Sequence, residues 1–412
     1  MELKQFDGFK YINGGVCAAK GFKAGGINCG LNSNPDKNDL GIIFCEKKCT
    51  AAAVYTQNKV KGAPIIITQK NLADGYAQAV IANSKNANTC NADGEEKAQA
   101  MCDLTAKELK ISASDVIVAS TGVIGQPLNI KAIEGKIKQL ADSISESGSI
   151  ECAKAIMTTD TFSKEAAVLF EIGGKLCRLG GMAKGSGMIH PNMATTLNFL
   201  TTDAAISCEM LKKALSKITK TTYNRLSIDG DTSTNDMVSI MASGLAGNAE
   251  IAVENADCQT FEKALYIVMM NLTRMLAKDG EGATKLLECT VTGAKTENIA
   301  EAVAKSVIGS SLFKAAMFGS DANWGRILCA IGYADADFDI TKVAVSLSSK
   351  VGKINVCKNG SGIEFSEDEA KKILLEDEII ISVNLNGGTE QATAWGCDLT
   401  YDYVKINGDY RS

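Results

Sequence analysis

The chain has 412 residues, 45% of them hydrophobic and 22% charged, with a net charge of −5 at neutral pH. That composition belongs to a folded globular protein and excludes a disordered or collagen-like chain; the length suits two domains, or one large core with a satellite. An acidic balance without a basic stripe excludes nucleic acid as a partner, and residues 1–15, polar and broken by charge, carry neither a signal peptide nor a membrane span, so a cytoplasmic protein is expected.

In chain order, apolar runs at residues 41–45, 64–68 and 116–120 predict strands that alternate with helical stretches, which makes an α/β or α+β chain. Residues 165–178 predict a β-hairpin, because two apolar runs flank Gly173-Gly174 and adjacent glycines supply the positive φ of a tight turn. A strand follows near Leu200, then helices over residues 208–225 and 259–278, the second stopped by Asp279-Gly280. From about Asp337 the chain is richer in strands. Only four prolines and no repeat or low-complexity tract punctuate it, so no flexible linker is expected.

The 14 cysteines run from Cys17 to Cys397, and only Cys45 and Cys49 stand within a few residues of each other. A thiolate zinc site wants paired cysteines at short spacing, and the single histidine, His190, cannot complete a mixed set. No metal is expected, and the cysteines read as reduced, mostly buried, small hydrophobes.

One histidine leaves little room for a His-dependent triad, and His190 sits beside Pro191 without an adjacent carboxylate to orient it. A threonine at a new N-terminus needs no histidine, because its own α-amino group, with an unperturbed pKa of about 7.7 to 8.0, serves as general base near neutral pH. Exposing that amine requires a cut before a threonine. Residues 180–197 suit this: their glycines accept strained backbone, and the small Ala194 leaves the carbonyl before Thr195 accessible. On residues alone, a glycine-rich loop entering a strand is the simpler reading.

The run 116–120 delivers Thr121-Gly122 at its C-terminal end, where open α/β sheets place their sites. A threonine hydroxyl and a glycine N–H make an oxyanion hole there, although an ordinary turn explains the pair equally simply. Three further polar groups stand out: Thr158-Thr159-Asp160-Thr161, the run from Asp229 to Asp236, and Glu281 after the second long helix. Each also reads as a helix cap or turn, and the second lacks the closing glutamate spacing of a calcium loop.

The stretch from Lys184 to Thr195, Lys-Gly-Ser-Gly-Met-Ile-His-Pro-Asn-Met-Ala-Thr, closely resembles the ornithine acetyltransferase family, whose members cleave themselves at the Ala-Thr bond of this motif. Further family signatures are resembled by Gly14-Gly15-Val16, Lys20-Gly21-Phe22-Lys23 and residues 51–56, 83–88, 120–125, 227–236 and 395–400, so the resemblance covers essentially the whole chain. It implies an enzyme of arginine biosynthesis that cuts between Ala194 and Thr195, then moves the acetyl group of N-acetylornithine to glutamate through an ester on Thr195. No cofactor is implied, and acetyl-CoA as an alternative donor stays open.

Carried over residue by residue, the resemblance implies Thr195 as nucleophile and Thr121 with Gly122 as oxyanion hole. It also implies substrate contacts from Thr158, Lys184, Thr195, Glu281, Asn407 and Ser412; Lys184 and Glu281 suit the opposite charges of an amino acid. The implied architecture is an αββα sandwich resembling N-terminal-nucleophile enzymes with different connectivity, plus a smaller C-terminal α/β domain. Residues 1–194 form an α fragment with the N-terminal part of the core; residues 195–412 form a β fragment with the remainder and the smaller domain, paired further into α2β2. Three positions depart from the family: Thr196 where a hydrophobic residue is common, which leaves a one-residue shift of the cut open, Ser412 where threonine is usual, and Lys85 where glycine is usual. Two rivals share the features: a self-processing aminopeptidase or amidase, in which water takes the acyl group, and a non-catalytic binding protein of the same fold.

Overall fold

Small and branched apolar residues carry most of the strands, and glycines many of the turns. The computed structural model describes residues 3–190 and 196–408. Contacts divide the chain into two units, Met1–Gly185 with Asn192–Asn224 and Thr232–Leu272, and Ser186–Pro191 with Arg225–Asp231 and Thr273–Ser412. Strands are β1 Lys10–Tyr11, β2 Phe22–Ile27, β3 Leu40–Tyr55, β4 Tyr76–Asn83, β5 Val116–Ser120, β6 Lys164–Ile172, β7 Lys175–Lys184, β8 Leu197–Thr202, β9 Leu226–Ser227, β10 Met237–Ala242, β11 Leu286–Ala294, β12 Ala344–Ser349, β13 Gly352–Lys358, β14 Ser361–Gly362, β15 Glu378–Asn384 and β16 Glu390–Cys397. Helices are α1 Ala63–Asn71, α2 Gly94–Leu109, α3 Ile130–Glu134, α4 Ile137–Asp142, α5 Ser149–Ala155, α6 Cys208–Thr221, α7 Ala256–Lys278, α8 Glu297–Gly309, α9 Ser311–Phe318, α10 Trp324–Gly332, α11 Glu367–Leu374 and α12 Tyr401–Asn407.

The first unit holds a nine-stranded sheet in the order β1-β6-β7-β8-β10-β3-β4-β5, with β2 also on β3. Strand β3 belongs to two layers. Its Thr50–Tyr55 end pairs with β10, while its earlier residues pair with β2 and β4, and its register with β4 shifts between Phe44 and Cys49. Such an irregularity bends a strand and lets it pass from one layer to the next. Alternation along β4 and β5 shows the consequence. Val80, Ala82, Ile117 and Ala119 share a core with Met182, Phe199 and Met241 of β7, β8 and β10. Their neighbours Ala79, Ile81, Val116 and Val118 share another with Ala98, Met101 and Cys102 of α2 and Leu140 of α4.

On the far face of the other layer, a Cβ on Gly181 of β7 would meet Leu200 of β8 and Leu272 of α7. Helix, sheet, sheet and helix therefore follow one another: the αββα sandwich is present within the first unit.

Helix α1 corrects one expectation, because residues 64–68 are helical rather than extended. A short buried apolar run does not distinguish the two, and Pro64 falls in the first turn, where its missing N–H costs nothing. Two side chains on one face of this helix close the edge of β5. Thr68 Oγ1 donates to the Val118 carbonyl at 2.8 Å and accepts from the Val118 N–H at 2.9 Å, while Asn71 Nδ2 donates to Val116 at 2.8 Å. The other expected elements form: the hairpin is β6–β7, the long helices are α6 and α7, and α6 gives way to a 3-10 turn at Tyr223–Arg225.

The second unit is the smaller α/β body expected for the C-terminal part. Its sheet runs β14-β13-β12-β15-β11-β16-β9, with β11 parallel to β15 and antiparallel to β16. Residues of α8, α10 and α11, among them Val303, Ile327 and Ile373, pack against Val291, Leu347 and Ile381 of the sheet. All 14 cysteines are free thiols and ten are buried. Among the described residues no helix is long and apolar enough to cross a membrane.

Candidate functional site

In the first unit the polar groups gather where β5 and β7 end. Thr121-Gly122 follows β5, and its shape is set by the facing segment: the Thr121 N–H donates to Asn83 and the Val123 N–H to Lys85, at 3.0 and 3.1 Å. Gly122 has φ +131°, and a Cβ there would lie 2.2 Å from the Lys85 carbonyl carbon, so glycine is required on both counts. Lys85 itself has φ 71°. The usual glycine at that position thereby has a physical reason, and this chain accepts an exposed lysine in left-handed backbone instead. From the other layer Lys184, the last residue of β7 and 7% exposed, donates from Nζ to Thr121 Oγ1 at 3.1 Å.

Asp160 ties Thr158 to this lysine. Its fully buried carboxylate accepts from Lys164 Nζ at 2.6 Å, from the Gly185 N–H at 2.7 Å and from the Thr158 N–H at 3.0 Å. Burial alone pushes its pKa up, but the charges of Lys164 and Lys184 and the hydrogen bonds of Lys164 and Gly185 outweigh that and hold it at about 2. An ionised carboxylate thus sits behind the ammonium that touches Thr121.

Beside β7 lie the starts of β8 and β10. Asn235 links the two layers: Nδ2 donates to the carbonyls of Ala87 at 2.6 Å and Ser120 at 3.0 Å, and Oδ1 accepts from Thr89 at 2.6 Å. Asp236 accepts the Thr196 N–H at 2.6 Å. Burial raises its carboxyl to about 7, although the Thr196 amide, Ser233 and the charge of Lys184 pull the other way. Groups able to neutralise a developing oxyanion and a carboxyl poised near neutral pH therefore occupy one end of the sandwich.

In the second unit Asp229 clamps residues 188–189, accepting their backbone N–H groups at 2.6 and 2.9 Å. The Glu281 N–H donates to the Ser186 carbonyl at 2.8 Å, and a Cβ on Gly187 would fall 2.2 Å from the Glu281 carboxylate. Asn407 Nδ2 donates to that carboxylate at 2.7 Å. His190 Nδ1 meets Ser227 Oγ at 3.0 Å, and burial lowers the imidazole pKa.

Of the residues singled out from sequence, Thr121, Gly122, Lys184 and, through Asp160, Thr158 come together in the first unit, and Glu281 and Asn407 in the second. Ala194, Thr195 and Ser412 lie outside the described residues. Sequence reasoning saw the polar run 229–236 but not its work, since Asp229, Asn235 and Asp236 act on backbone far away in sequence. Asp160 stood among readable caps, and no pattern marked Lys164.

The ArgJ family profile matches residues 23–412. The chain is 51% identical to the arginine biosynthesis bifunctional protein ArgJ 1 of Clostridium acetobutylicum over 95% of this chain and 96% of that one. It is 48% identical to the arginine biosynthesis bifunctional protein ArgJ of Caldanaerobacter subterraneus subsp. tengcongensis, covering 97% and 99%. Among solved structures, the arginine biosynthesis bifunctional protein argJ of Bacillus halodurans is 49% identical, with a TM-score of 0.48, covering 51% of this chain and 97% of that chain. Ornithine acetyltransferase of Mycobacterium tuberculosis, solved in complex with ornithine, is 34% identical with a TM-score of 0.42, covering 45% and 100%. A profile match over nearly the whole length, and close to half of all residues shared with full-length relatives, make this chain a member of the ArgJ family.

Proposed function

We propose that the protein is a self-cleaving glutamate N-acetyltransferase of arginine biosynthesis, with Thr195 as its nucleophile. In the cut, Thr195 Oγ adds to the Ala194 carbonyl carbon, the Ala194-Thr195 C–N bond breaks as the nitrogen takes a proton and becomes the free α-amine, and water hydrolyses the resulting ester to release the Ala194 carboxylate and the Thr195 hydroxyl. In the acetyl transfer, Thr195 Oγ attacks the acetyl carbon of N-acetylornithine while its α-amine takes the hydroxyl proton and passes it to the leaving amine. Thr121 Oγ1 and the Gly122 N–H hold the oxyanion, ornithine departs, and the amine of glutamate takes the acetyl group from the ester.

The observation that carries this reading is the 3.1 Å contact of Lys184 Nζ with Thr121 Oγ1, which brings a cation to the proposed oxyanion threonine. Lys184 and Glu281 take the charged ends of the amino-acid substrates, assisted by Thr158, Asn407 and Ser412. The cycle needs no cofactor. Fourteen free thiols suit a reducing cytoplasm, and the two fragments pair further into α2β2. That the relatives are called bifunctional favours a second activity, in which acetyl-CoA acylates Thr195 directly.

Intact mass of the wild type beside Thr195→Ala tests the nucleophile: two fragments that begin and end at the 194/195 bond are expected only in the wild type. Transfer from acetylornithine should then give parallel double-reciprocal lines, and acetyl-CoA with glutamate alone should give N-acetylglutamate. Free acetate formed without any acceptor would support the hydrolase instead; an uncleaved, inert chain would support the binding protein.

A further inference from the structure

Holding an oxyanion calls for a hydroxyl that stays where it is aimed, because a misplacement of about 1 Å can cost roughly 100-fold in rate. Thr121 lies just past the end of β5, yet the peptide that leads into it is gripped on both edges. The Ser120 carbonyl and the Thr121 N–H belong to one rigid plane. The carbonyl accepts from Asn235 Nδ2 at 3.0 Å, and the N–H donates to the Asn83 carbonyl at 3.0 Å. Ser120 is held again through its side chain, whose Oγ donates to Asn83 Oδ1 at 2.6 Å.

The Asn235 side chain is fully committed to this grip. Nδ2 gives its two hydrogens to the Ser120 and Ala87 carbonyls, and Oδ1 accepts from the hydroxyls of Thr89 and Thr234, each at 2.6 Å. Carbonyl oxygens cannot donate, so only this orientation of the amide satisfies all four contacts. The side chain is buried, and Gly62 leaves the room for it: a Cβ there would lie 2.5 Å from Nδ2 and 2.7 Å from Oδ1. A buried polar group with every donor and acceptor engaged is rigid, and this one ties residues 87, 89 and 120 to a segment 115 to 148 residues later in the chain.

We propose that Asn235 is a positioning residue for the oxyanion threonine: by holding the Ser120–Thr121 peptide against Asn83 it fixes the direction of Thr121 Oγ1. Its own amide has no donor or acceptor left for substrate. This rests on the reading of Thr121 as an oxyanion donor. Without Asn235 the Thr121 N–H keeps its bond to Asn83, but the peptide plane is free to pivot about it. Asn235 follows residue 195 and Ser120 precedes it, so the fragment that begins with the nucleophile also sets the geometry of the oxyanion hole in the other fragment.

The test uses full-length Asn235→Ala and the milder Thr89→Val, each made in the wild-type and in the Thr121→Ala background. Circular dichroism and intact mass follow folding and cleavage, and kcat and KM are measured for acetyl transfer. N235A should lower kcat at least about tenfold with KM changed by no more than about threefold, and T89V should lower kcat by less. Both losses should shrink to under about threefold where Thr121 is already alanine, since a residue that acts through that hydroxyl has nothing left to act on. The same factor lost in both backgrounds, or an unchanged kcat in folded N235A, overturns the proposal. Hydrogen–deuterium exchange of a peptide covering residues 119–124 reads the grip directly, with or without cleavage: it should quicken several-fold in N235A, and unchanged exchange overturns the proposal as well. If N235A does not fold, T89V carries both measurements. A Thr121→Ala enzyme as active as wild type sinks the oxyanion reading, and an uncleaved, inert wild type sinks the nucleophile reading; neither outcome involves a substitution at 235, so these failures stand apart from failure of the role of Asn235.

Discussion

Gly122 and Thr121 are adjacent, yet their substitution should fail in different currencies. Alanine at 122 would drive a Cβ to 2.2 Å from Lys85 and 2.5 Å from the Asn86 nitrogen, at a φ that alanine avoids. Gly122→Ala is expected to lose about 3 kcal/mol or more of stability, read by urea unfolding. Thr121→Ala removes only a hydroxyl on an already formed loop, so stability should hold while kcat falls roughly 100- to 1,000-fold with KM changed by only a few-fold. Asp236 makes a pH prediction of its own. Its carboxyl stands at about 7 in the folded chain, against about 3.9 unfolded. Between those values the native state keeps a proton that the unfolded chain has lost, so unfolding free energy falls as pH rises through the window. Asp236→Asn should flatten that slope by up to one proton in urea titrations from about pH 4.5 to 7. Thr121-Gly122 was legible in the sequence because a strand end and a polar pair coincide. Asp160, Lys164 and Asp236 were not, since each acquires its meaning from a partner that only the tertiary fold brings near.

At the scale of elements, the edge of β5 shows why one strand expected from sequence became a helix. A helix at residues 64–68 sets Thr68 and Asn71 on one face, and their side chains take the outer groups of Val118 and Val116 that a neighbouring strand would otherwise pair. Thr68→Val keeps the shape but strips the partner from both the N–H and the carbonyl of buried Val118. It should cost about 2 to 4 kcal/mol in urea unfolding, with little change in far-UV circular dichroism. Hydrophobic periodicity identified β5, the β6–β7 hairpin and both long helices, because each is long or bounded by turn residues. It missed α1, where five apolar or small residues serve either structure, and it had no means to see that β3 turns from one layer into the next near Cys49.

For the whole molecule the decisive feature is the order of strands around the proposed cut. β7 and β3 precede residue 195, β8 and β10 follow it, and the sheet reads β7-β8-β10-β3, so the later pair is inserted between strands of the earlier segment. Six residue pairs join β7 to β8 and six join β10 to β3. A chain cut at 194/195 could not release either fragment without opening both ladders. Native gel filtration should therefore show one species in which a denaturing gel finds two chains. Unfolding the cleaved protein sets two chains free where the intact one yields a single chain, and this makes its stability depend more strongly on concentration. Each tenfold dilution then costs about 1.4 kcal/mol, which lowers Tm by roughly 1.5 °C for a protein of this size. Thr195→Ala, left uncut, should show a shallower dependence, and any further pairing of subunits adds equally to both. Equal slopes, in a sample that mass spectrometry finds fully cleaved, would mean that the fragments fold as independent bodies, contrary to the interleaved sheet.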